Sequence, residues 1–242
     1  MEVYMDILVL KAWGKYAHFR KVYSNSSSLS YYAPPRSTVC GMLAAVLGLE
    51  RDSYYDTFSP EKVKIAVKIA SPLRKMVHTV NYIYMKGMSD LINRKQGTQV
   101  PFEIVAGNED SLCYHIYVAM EDEAMFHQLA DLTGDSKSKY PPALGAAPFL
   151  CCLEHAAVYS CERTRAEDAV EIHSIAALSE IEENSIVVRE NRLVKEDMPF
   201  HLKENRLSEQ LKGYIFDYTG KPLIFIPKNG YYGIEGENIV FM

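Results

Sequence analysis

A chain of 242 residues can bury a sizeable core, as one large domain or as a domain with an appendage. Hydrophobic residues make up 48% of it and charged residues 24%, ordinary globular values that exclude extended disorder. The net charge of −5 hides an asymmetry: residues 1–100 carry 14 Lys and Arg against 7 Asp and Glu, and residues 101–242 carry 12 against 24. A cationic half is thus joined to an acidic one, a pattern of chains that meet polyanions with one part only, though unevenly placed solvated charge produces it too.

The first strand is expected over Val3 to Trp13, apolar on both faces apart from Asp6, as in the middle of a sheet. Its densest stretch, Ile7-Leu8-Val9-Leu10, falls far short of a signal-peptide core or a membrane span, so a cytoplasmic protein with no membrane contact is expected. A polar, aromatic loop follows, in which Lys15, His18, Arg20 and Lys21 alternate with Tyr16, Phe19, Tyr23, Tyr31 and Tyr32. Cations that follow phosphates, mixed with rings that stack on bases, suit single-stranded RNA; aromatics at this density also build cores. Pro34-Pro35 keeps the chain extended into Arg36-Ser37-Thr38.

The spacing of Val39, Met42, Leu43, Val46 and Leu47 predicts a helix, capped by Ser37 or Thr38 and ended by Gly48. Arg36, Ser37, Thr38 and Gly41 at its start have the chemistry of a phosphate site: unpaired N–H groups, a guanidinium, two hydroxyls and a missing side chain. A capped helix whose glycine packs on the sheet would look the same.

Strands are predicted at Val63 to Ile69 and Leu112 to Val118, a helix from Glu121 to about Leu132 closed by Gly134, and a further strand from Phe149 to Cys161. The order strand, helix, strand, strand, helix, strand predicts an α+β, ferredoxin-like (RRM-like) domain over residues 1–164. Residues 73–111 are an insertion read as a thumb β-hairpin, Lys75 to Lys86 and Thr98 to Val105 flanking a Gly87–Gly97 tip; Lys86, Arg94 and Lys95 make it basic. Residues 165–242 read as a small C-terminal β-rich subdomain, punctuated at Thr219-Gly220, Asn229-Gly230 and Glu235-Gly236. The five cysteines show no C-x-x-C spacing and are expected to be reduced packing residues. No metal site and no cofactor is expected.

His18-Phe19-Arg20, Ser28-Leu29-Ser30-Tyr31 and Pro34-Pro35-Arg36-Ser37-Thr38-Val39-Cys40-Gly41 strongly resemble the CRISPR-associated family five proteins, within the repeat-associated RNA-binding superfamily. Thr98-Gln99-Val100-Pro101-Phe102-Glu103 is similar to that family's return from its thumb, and the stretch from Tyr140-Pro141-Pro142 to Phe149-Leu150 to its later P-x-L-G-x-x-x-F segment. The wording is nearest the type I-B branch. The resemblance implies a subunit of a type I interference complex (Cascade) in antiviral defence. Its implied partners are the 5′ handle of a CRISPR RNA, the repeating backbone subunit and the large subunit, with target DNA met only through the assembled complex. Where the family usually offers a polar residue, this chain has Ala146 and Ala147.

One branch of the family is a metal-independent endoribonuclease that processes precursor CRISPR RNA with a tyrosine and an adjacent lysine–histidine pair. No histidine here follows a lysine, and the nearest substitutes, Lys75, His78 and Tyr31, keep the residue types without the spacing. Residues three apart on a strand point to opposite faces, so Lys75 and His78 should diverge. The expectation is a protein with no catalytic residues, which binds RNA through Lys15, His18, Arg20, Lys21, Tyr31, Arg36, Ser37, Thr38, Gly41, Lys86, Arg94 and Lys95.

Overall fold

The computed structural model describes residues 4–85, 87–92, 97–203 and 208–242. Strands dominate and helices are few. Strand β1 (Tyr4–Gly14) runs through the middle of a six-stranded sheet, which explains its continuous apolar run. Leu8, Leu10 and Ala12 face one core, and Ile7 and Val9 face another on the opposite side. Three two-residue strands shape the loop that follows: β2 (Tyr16–Ala17), β3 (Phe19–Arg20) and β4 (Ser30–Tyr31).

Helix α1 (Arg36–Leu47) begins two residues earlier than a Ser37 cap, and three earlier than a Thr38 cap, would allow. Pro35 occupies the cap position with no side-chain cap, and its carbonyl accepts from the N–H groups of Thr38 and Val39. Proline's fixed φ suits the entry to the helix, and both hydroxyl residues fall half-exposed in the first turn. Gly48 ends the helix as expected, at φ +78.

Strand β5 (Val63–Ile69) lies at one end of the main sheet, and β6 (Leu73–Ile83) starts the inserted hairpin. A short helix α2 (Met88–Ile92) precedes β7 (Gly97–Gly107), which pairs with β6 without a break from Leu73↔Gly107 to Ile83↔Gly97. At about 3.4 Å per residue this unbroken ladder is roughly 35 Å long. Strand β8 (Leu112–Met120) returns to the main sheet beside β1. Helix α3 (Glu123–Gly134) is capped by Asp122, whose carboxylate accepts from the Met125 N–H; the left-handed residue beyond its end is Ser136, not the expected Gly134. Val39, Leu43 and Val46 of α1 and Phe126 and Leu129 of α3 share the core of Leu8 and Leu10, so both helices cover one face. Strand β9 (Cys152–Thr164) flanks β1 on its other side.

The last eighty residues reach both ends of this sheet. Strands β10 (Val170–Ile172), β11 (Ala176–Ala177), β12 (Leu193–Leu202), β13 (Ser208–Asp217) and β14 (Leu223–Phe225) form two small sheets, β10-β14 and β11-β13-β12. Strands β15 (Tyr231–Ile234) and β16 (Glu237–Ile239) extend the main sheet, giving the antiparallel order β16-β15-β9-β1-β8-β5. At the opposite end, the N–H groups of Ile175 and Met242 donate to Val67 and Ile65, so β5 is not left as an open edge. Gly220, Gly230 and Gly236 all have positive φ, as the turn signals anticipate. Among the described residues, no helix is long and apolar enough to cross a membrane, and no group of three or more His, Cys, Asp or Glu could hold a metal ion.

Candidate nucleic-acid interface

The loop after β1 is organised around His18. Its N–H donates to the Leu144 carbonyl at 3.0 Å, and its own carbonyl accepts from the Ala146 N–H at 3.1 Å. Its Nδ1 lies 2.7 Å from the Glu103 carbonyl and its Nε2 2.9 Å from the Ser28 hydroxyl. A carbonyl can only accept, so Nδ1 carries the proton and Nε2 accepts from Ser28. The ring stacks on Phe102 at 4.1 Å, and burial pulls its pKa below the ordinary 6.5. His18 is therefore a neutral pin joining the loop, the base of the β6–β7 thumb and the 141–149 segment. Gly145 permits that approach: its φ is +87, and a Cβ there would come within 2.0 Å of the His18 carbonyl oxygen.

These segments and α1 enclose an open groove of about 660 Å³. Helix α1 contributes Ser37, Thr38, Gly41 and Ala45, the loop contributes His18, Arg20 and Ser28, and the thumb contributes Tyr82 and Phe102. Pro141, Ala143, Gly145 and Ala146 complete the lining together with Tyr54. A Cβ at Gly41 would come within 3.2 Å of the Tyr54 hydroxyl. Hydroxyls, an arginine and aromatic rings thus meet around one concave surface.

Five of the expected site residues, His18, Arg20, Ser37, Thr38 and Gly41, line this groove. Lys15 is exposed near the Tyr16 ring, outside it. Lys21 is drawn inward by a 2.8 Å ion pair with Glu196; burial lowers its pKa, but the pairing outweighs burial and raises it. Tyr31 is fully buried, its hydroxyl donates to the Asp197 carbonyl, and burial pushes its pKa up to about 12. Arg36 points into the protein rather than into the groove, donating from Nη2 to the carbonyls of Phe58 and Val63 at 3.0 and 2.6 Å. The first turn of α1 directs the side chain towards the 58–63 segment, whose carbonyls accept from it in the interior, away from the groove. Lys86, Arg94 and Lys95 lie outside the described residues.

Lys75 belongs to the same buried network as Lys21. It reaches Glu103 at 3.2 Å and Glu196 at 3.8 Å, donates to the Ser30 carbonyl and sits 4.1 Å from the centre of the Tyr32 ring. Burial lowers its pKa despite both carboxylates. His78 is exposed on the same regular strand, so the two side chains part as their spacing requires. Sequence reasoning overlooked Tyr54, Tyr82 and the acid Glu196. Tyr82 and Phe102 stand on paired thumb strands and could have been marked by their alternation; Glu196 acts on residues about 120 to 175 positions away and leaves no local trace.

A family model described as "CRISPR-associated protein (Cas_Cas5)" matches residues 7–106, the stretch that supplies β1, the pinned loop, α1 and the thumb. No curated protein matches the chain in sequence. Among solved structures, a CRISPR protein from Archaeoglobus fulgidus is similar, with a TM-score of 0.56 at 12% identity over 98% of this chain and 99% of that one. A chain of the type III-B Cmr-beta complex, solved with cognate target RNA and AMPPnP, is similar with a TM-score of 0.52 at 12% identity, over 91% of this chain and 86% of that one. At such identities the likeness is one of fold. Residues 7–106 of this chain are thus similar to the CRISPR-associated Cas5 family.

Proposed function

We propose that this chain grips the 5′ handle of a CRISPR RNA as a non-catalytic subunit of a type I (Cascade) interference complex. The groove carries the reading. Arg20 can pair with a phosphate, the Ser37 and Thr38 hydroxyls can donate to phosphate or ribose oxygens, and Tyr54 and Tyr82 offer rings for unstacked bases. The match of residues 7–106 to a CRISPR-associated family model supports an RNA partner, as does the RNA in the Cmr-beta complex. The same comparisons support assembly with other subunits, which we take to be the repeating backbone and large subunits. The strand order β9-β1-β8-β5, with α1 and α3 following β1 and β8, supports a ferredoxin-like reading of the core.

The non-catalytic part rests on Tyr31, Lys75 and His78. Metal-independent cleavage needs a base at the 2′-hydroxyl and a proton donor at the leaving oxygen, both within hydrogen-bonding reach of one phosphodiester. Tyr31 and Lys75 are engaged internally, and His78 stands apart from them.

Fluorescence anisotropy with a repeat-derived RNA should show tighter binding to an intact 5′ handle than to a scrambled one; equal affinities would refute handle recognition. Precursor RNA incubated with the protein alone, with or without Mg²⁺, should remain whole. Cleavage within the repeat that disappears in His78→Ala or Tyr31→Phe would instead establish an endoribonuclease.

A further inference from the structure

Glu196 stands on β12 of the C-terminal region, yet its carboxylate reaches both walls of the groove from behind. Oε1 lies 2.8 Å from the Lys21 ammonium, on the loop that carries His18, Arg20 and Ser28, and 3.8 Å from the Lys75 ammonium at the base of the thumb. Oε2 accepts from the Tyr32 N–H at 3.2 Å. Lys75 in turn meets Glu103, whose carboxylate accepts from the Ser30 N–H and whose carbonyl accepts from His18. Successive residues of a strand face opposite sides, so Phe102 lines the groove and Glu103 points to the rear of the thumb. Glu196, Lys21 and Lys75 are not part of the groove lining.

The two ammoniums repel each other. Burial holds Lys75 below the ordinary lysine range, and the Lys21 charge adds to that effect against both carboxylates. One ammonium belongs to the loop and the other to the thumb, so the shared acid between them draws the two segments together. Removing one partner from a buried charge network leaves the rest uncompensated, and here the imbalance would push loop and thumb apart. Taking the groove as the RNA site on which this role rests, we propose that Glu196 is a positioning residue for RNA binding. It holds the loop wall and the thumb wall at their working separation without touching the RNA. Lys21 then acts as a structural cation and not as a phosphate contact. The C-terminal region thereby sets the width of a groove to which it contributes no lining residue.

Glu196→Gln keeps an acceptor for Tyr32 and removes the charge. It should weaken binding of the handle RNA about tenfold in protein that thermal melting shows to be folded. Amide exchange should quicken several-fold at Ser28 and Glu103, whose N–H groups bond loop to thumb. Adding Lys21→Met removes the repulsion, leaves Lys75 with Glu103 and should restore most of the affinity. A direct RNA contact by Lys21 gives the opposite: a further loss, with a log–log salt slope flatter by about 0.7. That result would overturn the proposal, as would unchanged affinity and exchange in Glu196→Gln. A wild-type protein that binds no RNA would strike the groove reading, and exchange at Ser28 and Glu103 would still decide whether Glu196 joins loop to thumb. Should Glu196→Gln not fold, Lys75→Met takes its place, since it frees the thumb and leaves Lys21 its partner. Weaker binding with faster exchange at the same two amides is expected, and unchanged values would refute the tie.

Discussion

His18 ties groove geometry to pH. It is neutral because burial lowers its pKa, and burial lowers His115 in the same way, with Lys68 adding to the effect. In the unfolded chain both return to about 6.5 and take up protons first as the pH falls. The unfolded state then binds more protons, so stability is undiminished above that value and declines below it, towards the lower folded-state values. The urea midpoint should therefore drop between about pH 7.5 and about pH 5.5, and the drop should shrink in His18→Gln. An unchanged drop would remove His18 from the account. Arg20→Glu and Thr38→Glu test the groove itself: each should weaken RNA binding without unfolding the protein. Every phosphate that the variant no longer neutralises should flatten the log–log salt slope by about 0.7. The residue types at the helix start were legible in the sequence, but their directions were not. Arg36, Ser37 and Thr38 read as one phosphate cluster, yet the first turn sends the arginine into the core and leaves the hydroxyl residues half-exposed.

At the scale of elements, local patterning foretold most of the main sheet. Val63–Ile69 stands where its alternation put it, and α1, α3 and the thumb strands fall within a few residues of expectation. Alternation and helical spacing are local signals. The convergence of α1, the thumb and the 141–146 segment on one groove is set by long-range pairing through His18, which no spacing reveals. The thumb carries exposed Val77, Tyr82, Ile83, Met85, Met88 and Ile92, an apolar surface on a projecting hairpin. Replacing residues 86–96 with a short Gly-Ser linker should leave monomer stability unchanged while impairing assembly on RNA, read by co-elution with the guide. Tyr82→Ala should weaken single-strand binding by about 1–3 kcal/mol if its ring stacks on a base; a change within error would exclude stacking there.

For the molecule as a whole, the C-terminal residues are structural partners of the N-terminal ones. Ile239, Tyr232 and Ile234 share a core with Ile7, Val9 and Tyr117 on the sheet face opposite the helices. Ile239→Ala should cost about 2–4 kcal/mol in chemical denaturation, far more than a trimmed surface strand would. Turn residues in this region were readable from Gly220, Gly230 and Gly236, but its docking on the sheet was not, because pairs such as Tyr231↔Thr164 join segments that carry no mutual signal.

The central place of β1 has a consequence in time. As the chain is synthesised, β1 emerges well before its flanking partners β8 and β9, which begin at Leu112 and Cys152, and the β15–β16 extension comes later still. Its apolar faces must wait, exposed, until those segments have been made. Contacts between such distant segments form slowly, and unpaired apolar strands aggregate while they wait. Refolding should accordingly be slow for a protein of this size, and its yield should fall as concentration rises.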